Sequence, residues 1–280
     1  MDLLDGRIEK EGVWQSDSYY VKHGSAKHYD FVFVSVPSGG LASVVDGLEA
    51  DGISGTLLLA CGIWEDRACL EKQLKGRPYV LGYPVAGGNV SGNKLSCCLF
   101  DHFVLEREEK AEISSYRELA WLFGDCQIKL ERPYDMLEWI WLHMAINAGV
   151  ISVMGRTGDV RDTTAAAERF MDSVPCLKEA VKTIRETSGI VASRGVNLKN
   201  CRDELLPYKL LTFISASLMK RMFARKVLAR KIMTLHGNVQ DLLFVCKCLC
   251  DRGKKNQVSA PGFYENYERM FERIALFSGG

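Results

Sequence analysis

Three short apolar runs with helical patterns between them constrain this chain more than any other feature. Phe31-Val32-Phe33-Val34-Ser35-Val36 is a continuous β-rich run closed by Pro37-Ser38-Gly39-Gly40. It fits a strand covered on both faces and then a turn. Leu41, Val44, Val45 and Leu48 follow at helical spacing. The pattern then repeats, with Gly55 to Gly62 as strand and turn, Trp64 to Leu74 as helix and Tyr79 to Gly82 as a third strand. A β-α-β-α-β succession predicts a parallel sheet, because parallel neighbours need a crossover rather than a tight turn.

Beyond Pro84 the run from Val85 to Gly92 is expected to be a glycine-rich loop, which either lets backbone approach a ligand or is a plain turn. Strands are expected over 95–100 and 103–106, a helix over 109–123 and a strand over 126–130. Past Arg132-Pro133 the texture changes to long helical patterns at 134–154, 163–187, 204–222, 231–251 and 264–277. The predicted architecture is therefore an α/β domain over 1–132 followed by an all-α domain over 133–280.

Composition narrows the function classes. The net charge of +1 supplies no strong field toward nucleic acid or a membrane surface, so neither is expected as a partner. The apolar stretch from Trp139 to Met154 is interrupted by His143 and Asn147 and falls short of the ~20 residues of a bilayer span. Ten cysteines are scattered through a long chain with no signal peptide, which predicts reduced thiols and a cytoplasmic setting. Cys246, Cys248 and Cys250 are spaced by two, so on a helix the middle one faces away from the others. That spacing suits packing better than metal binding.

The order of these segments resembles the ketopantoate reductase family. The resemblance is carried by Tyr29 to Val36, Leu57 to Gly62 and Val80 to Gly88 in the first half. In the second half it is carried by Trp139 to Gly149, Lys231 to Gly237 and Val258 to Pro261. It implies a Rossmann-like domain, NADP as cofactor, a small 2-oxoacid as substrate and, in the helical half, a surface suited to a homodimer. It places cofactor contacts at Ser35, Pro37, Cys61 and Gly62, and substrate chemistry at Asn147 and His143.

The departures from that family are as informative. A Rossmann domain opens with a strand and a G-x-G-x-x-G turn that lets backbone amides meet the pyrophosphate, and this sequence contains no such motif. The first strand and helix are therefore expected to be missing. Where the family's proton-donating lysine is expected stands Trp139, and no lysine occurs between Lys129 and Lys178. His143 replaces an asparagine, Cys61 another, Pro37 a lysine and Lys231 an acid. His143, one turn from Asn147, can serve either as a proton donor or as a satisfied core histidine. Asn147 can either meet a ligand or satisfy a buried backbone group. Lys231 belongs to a basic run with Arg225, Lys226 and Arg230 that reads as a solvated face. A non-catalytic module on the same fold is the alternative to an enzyme.

Overall fold

The computed structural model describes residues 1–159, 161–235 and 237–278. The chain divides into two compact units, Met1–Ile140 and Trp141–Gly280. In the first, seven strands form one sheet: β1 (Asp2–Asp5), β2 (Val13–Ser16), β3 (His28–Val34), β4 (Ser54–Ala60), β5 (Tyr79–Ser91), β6 (Lys94–Leu105) and β7 (Lys129–Glu131). Their order is β2-β1-β6-β5-β4-β3, with β7 beside β6. Helices α1 (Leu41–Ala50), α2 (Arg67–Leu74), α3 (Glu108–Ala111) and α4 (Tyr116–Asp125) complete the unit apart from the first turn of the next helix.

The parallel core of the sheet is the one expected. Val34 lies opposite Leu59, and Leu59 opposite Leu81. Leu57, Leu58 and Leu59 are all fully buried, so both faces of β4 are covered. Gly82 is required by packing there, since a Cβ would stand 2.5 Å from the Phe103 ring.

Elsewhere the structure departs from the expectation. The run from Val85 to Gly92 is no loop: residues to Ser91 belong to β5, with Gly87 and Gly88 opposite Cys98 and Cys97 of β6. Pairing against a long partner strand outweighs glycine's weak strand preference. The register shift between Pro84 and Ala86 accommodates the proline at an irregularity. The two strands expected over 95–106 are the single β6, which is long enough to pair β1 with its first half and β7 with its second. Because β1–β2 and β5–β6 are antiparallel, the sheet is mixed with parallel pairings dominant.

The strands β1 and β2 went unforeseen. Asp5, only 1% exposed, is tolerated because its carboxylate accepts from the amide, Nε and Nη2 of Arg7. They lie beyond β6, whereas β3 ends the other side of the sheet with β4 as its only strand neighbour among the described residues.

The second unit is helical throughout the described residues: the remainder of α5 (Met136–Thr157), then α6 (Thr163–Asp172), α7 (Val174–Ala192), α8 (Arg202–Lys209), α9 (Thr212–Arg225), α10 (Val227–Leu235), α11 (Val239–Lys255) and α12 (Pro261–Ser278). Three helices expected to be continuous are each broken in two. Ser173 caps α7 through the Cys176 amide with Pro175 in the first turn, and Asn238 caps α11 through the Asp241 amide. His236, part of one of the segments carrying the resemblance, lies outside the described residues.

Val153, Phe170, Met171, Val181, Met219 and Phe223 form the core of this unit. At Gly149 helix α5 approaches α7 so closely that a Cβ would lie 2.7 Å from Ile184. By length and composition α5 could cross a membrane, contrary to the sequence estimate, but most of it is buried within the protein. All ten cysteines are free thiols. Cys246 and Cys250 are buried on one face of α11, and Cys248 is half-buried.

Candidate functional site

Parallel strands bring their carboxyl ends to one edge, where an open α/β sheet binds ligands. Ser35 and Pro37 follow β3, and Cys61 and Gly62 follow its neighbour β4. Ser35 and Pro37 are exposed, Gly62 is half-buried and Cys61 is buried. The Gly40 amide donates to the Pro37 carbonyl at 3.0 Å, which closes the turn into α1. These four positions therefore lie at neighbouring strand ends.

The α5 residues separate as helical geometry requires. Trp139 meets Tyr83 of β5 edge-on, with ring centroids 5.5 Å apart. Trp141, two positions on, lies under the Arg194 guanidinium at 3.4 Å from its ring centre. His143 and Asn147 are both half-buried and one turn apart, so they share a face. The Asn147 carboxamide makes no hydrogen bond among the described residues, so it does not satisfy a buried backbone group there. Lys231 is half-buried, and its neighbour Arg230 is paired with Asp172 at 2.9 Å, so the basic run is not simply a solvated face.

A polar cluster in the first unit escaped the sequence reading. Glu106, 1% exposed at the end of β6, accepts from Arg67 Nη2 at 2.6 Å and from the Leu81 amide at 3.1 Å. Arg67 Nη1 donates to the Tyr79 hydroxyl at 3.0 Å, and Lys110 pairs with Asp135 at 2.8 Å. A cavity of about 330 Å³ opens beside Arg67, Tyr79, Lys110 and Asp135. Burial pushes the Glu106 carboxyl above the usual range despite Arg67. Burial acts the same way on Asp135, but there the bonds from Lys110 and the Glu138 amide prevail and hold it low. Arg67 and Lys110 are each already engaged by acidic partners, so the cluster fastens α2, β5, β6 and α3 together. No local pattern could have linked Arg67 to Glu106 across so much sequence.

No protein-family profile matches the sequence, and no curated protein does. Solved structures do. The dimeric ketopantoate reductase of Staphylococcus aureus superposes with a TM-score of 0.58 at 12% identity, over 88% of this chain and 78% of that one. An NADP+-bound yersinopine dehydrogenase gives 0.62 at 9% identity, over 99% and 79%. D-mandelate dehydrogenase with NADH and anilino(oxo)acetate gives 0.61 at 10% identity, over 88% and 76%. This chain has the fold of the ketopantoate reductases and of dehydrogenases built on the same plan.

Proposed function

We propose that this chain descends from the NADP-linked 2-oxoacid reductases whose fold it shares, and that it holds a small 2-oxoacid or 2-hydroxyacid without reducing ketopantoate. The packing of Trp139 against Tyr83 carries this reading. That position is where the resemblance expects a lysine, and an indole N–H does not release a proton at neutral pH. On the same helix Asn147 offers an unengaged carboxamide to a ligand oxygen, and His143, a turn away, is the group able to hand over a proton. A cytoplasmic setting and a homodimer belong to the same reading.

For the dinucleotide the fit is incomplete. Ser35, Pro37, Cys61 and Gly62, at neighbouring strand ends, are the positions where the resemblance implies contacts with it. No residue of the sequence supplies the glycine-rich pyrophosphate turn. No step is therefore derived through it. The second reading is a ligand-sensing module on the same fold that binds the acid and turns nothing over.

Two measurements test the proposal. NADPH oxidation with ketopantoate should be absent, since loss of a positioned general acid costs ~10²–10⁴-fold. Turnover within tenfold of an ordinary reductase would overturn it. By calorimetry NADPH should bind very weakly, and Asn147→Ala should weaken 2-oxoacid binding while leaving the melting temperature in place. Micromolar NADPH affinity would mean that the dinucleotide is held by another route.

A further inference from the structure

From Leu205 to Gln240 the chain contains no Asp or Glu and seven Lys or Arg residues. In the structure this acid-free stretch also carries apolar side chains on the surface. Leu211, Ile214, Leu218 and Met222 recur at spacings of three and four along α9 and face solvent, Leu211 with 64% of its surface exposed. Phe213 at 57%, in the first turn of α9, and Leu206 at 48%, on α8, extend the patch to either side of the α8–α9 turn. Together these side chains expose on the order of 600 Å², at the upper end of what a monomer's largest apolar patch shows.

Cations frame the patch. Lys209, Arg221, Arg225 and Lys226 are exposed and form no ion pair among the described residues. Helix α7, which packs against α9, adds Lys178 and Lys182, exposed and likewise unpaired. The turn at the tip of the patch is braced rather than loose. Arg185 donates from Nε to the Tyr208 carbonyl at 2.6 Å, from Nη1 to Thr212 Oγ1 at 3.0 Å, and from Nη2 to the Leu210 carbonyl.

We propose that this face docks on an anionic lipid surface, with the α9 stripe and the α8–α9 turn entering the headgroup boundary and the surrounding lysines and arginines meeting lipid phosphates and carboxylates. An apolar helical face flanked by Lys and Arg is the arrangement that binds such a surface, each signal being insufficient alone. A second copy fits less well. A two-fold contact would gather both copies' unpaired cations around one seam, and the stretch offers no acid to answer them. Nucleic acid would answer the charges and leave Leu211, Phe213 and Ile214 without a partner. The inference stands independently of any bound 2-oxoacid.

Co-sedimentation of the full chain with phosphatidylcholine vesicles containing about a third phosphatidylserine, and with phosphatidylcholine alone, tests it. Protein should pellet with the anionic vesicles, remain in solution with the neutral ones, and be released by salt. Leu211→Glu with Phe213→Glu, and separately Arg221→Glu with Arg225→Glu, should each weaken partition about tenfold or more. Circular dichroism and melting temperature should be unchanged in both. Equal partition onto the two vesicle types, no partition onto either, or wild-type partition in both double variants would overturn the proposal. So would a dimer in sedimentation velocity that the same variants dissolve while vesicle binding is absent, because the face would then belong to self-association. Capture by an acidic peptide without vesicle binding counts against it equally.

Discussion

The ion pair of Arg67 and Glu106 shows how a residue can be costly and still necessary. Burial raises the Glu106 carboxyl above its ordinary value, so its contribution favours folding fully below about pH 4.3 and is lost as pH rises through the folded value. Wild type should therefore lose ground to Glu106→Gln in thermal melts taken from about pH 4 toward neutrality. A difference that stayed flat across that range would show that the carboxylate is compensated. Glu106→Ala should instead destabilise by about 2 kcal/mol in urea denaturation, because it leaves the half-buried Arg67 without its acid. Asp5 has the opposite sign. The Arg7 hydrogen bonds hold it low, so its share of stability is present above about pH 3.9 and fades as pH falls through the folded value. Neither pair could have been seen in the sequence as a unit, Asp5 because an acid in a strand reads as exposed, Glu106 because its partner is distant. Asn147 and His143 were legible as a pair because helical spacing alone puts them on one face.

At the scale of elements, legibility followed run length and continuity. Strands β3, β4 and the start of β5 were visible because uninterrupted apolar runs need cover on both sides. β1 and β2 were not, since each has four residues and β1 begins and ends with Asp. Helix breaks at Ser173, Leu210-Leu211 and Asn238 were also hidden, because apolar periodicity runs through them while caps and backbone bonds interrupt it. Glycine was misread in both directions: Gly87 and Gly88 suggested a loop and pair in a strand, whereas Gly149 drew no attention and fixes a helix crossing. Gly149→Val should drive its side chain into the Ile184 backbone, with a loss of about 3 kcal/mol or failure to fold, read by chemical denaturation. Stability within about 0.5 kcal/mol of wild type would mean that α5 and α7 can separate without penalty.

For the whole molecule, an average concealed what a local sum reveals. A net charge of +1 argued against a membrane surface, yet it is the balance between an acid-free basic stretch and acids gathered elsewhere. The change of texture at Arg132-Pro133 falls ahead of the division between the compact units, which comes after Ile140. Met136, Leu137 and Ile140 are buried and belong to the first unit, while α5 continues without a break into the second. A fragment ending at Arg132 should accordingly be poorly soluble and melt without cooperativity. One extended through α5 should show a sigmoidal transition by circular dichroism, and equal behaviour of the two would refute this division. The same feature bears on ancestry. Gene fusion and shuffling succeed where a cut falls in a loop, and here the divide falls inside a helix. A recombination event at that point would cost one half its first buried turn, so the divide is a poor place for a crossover.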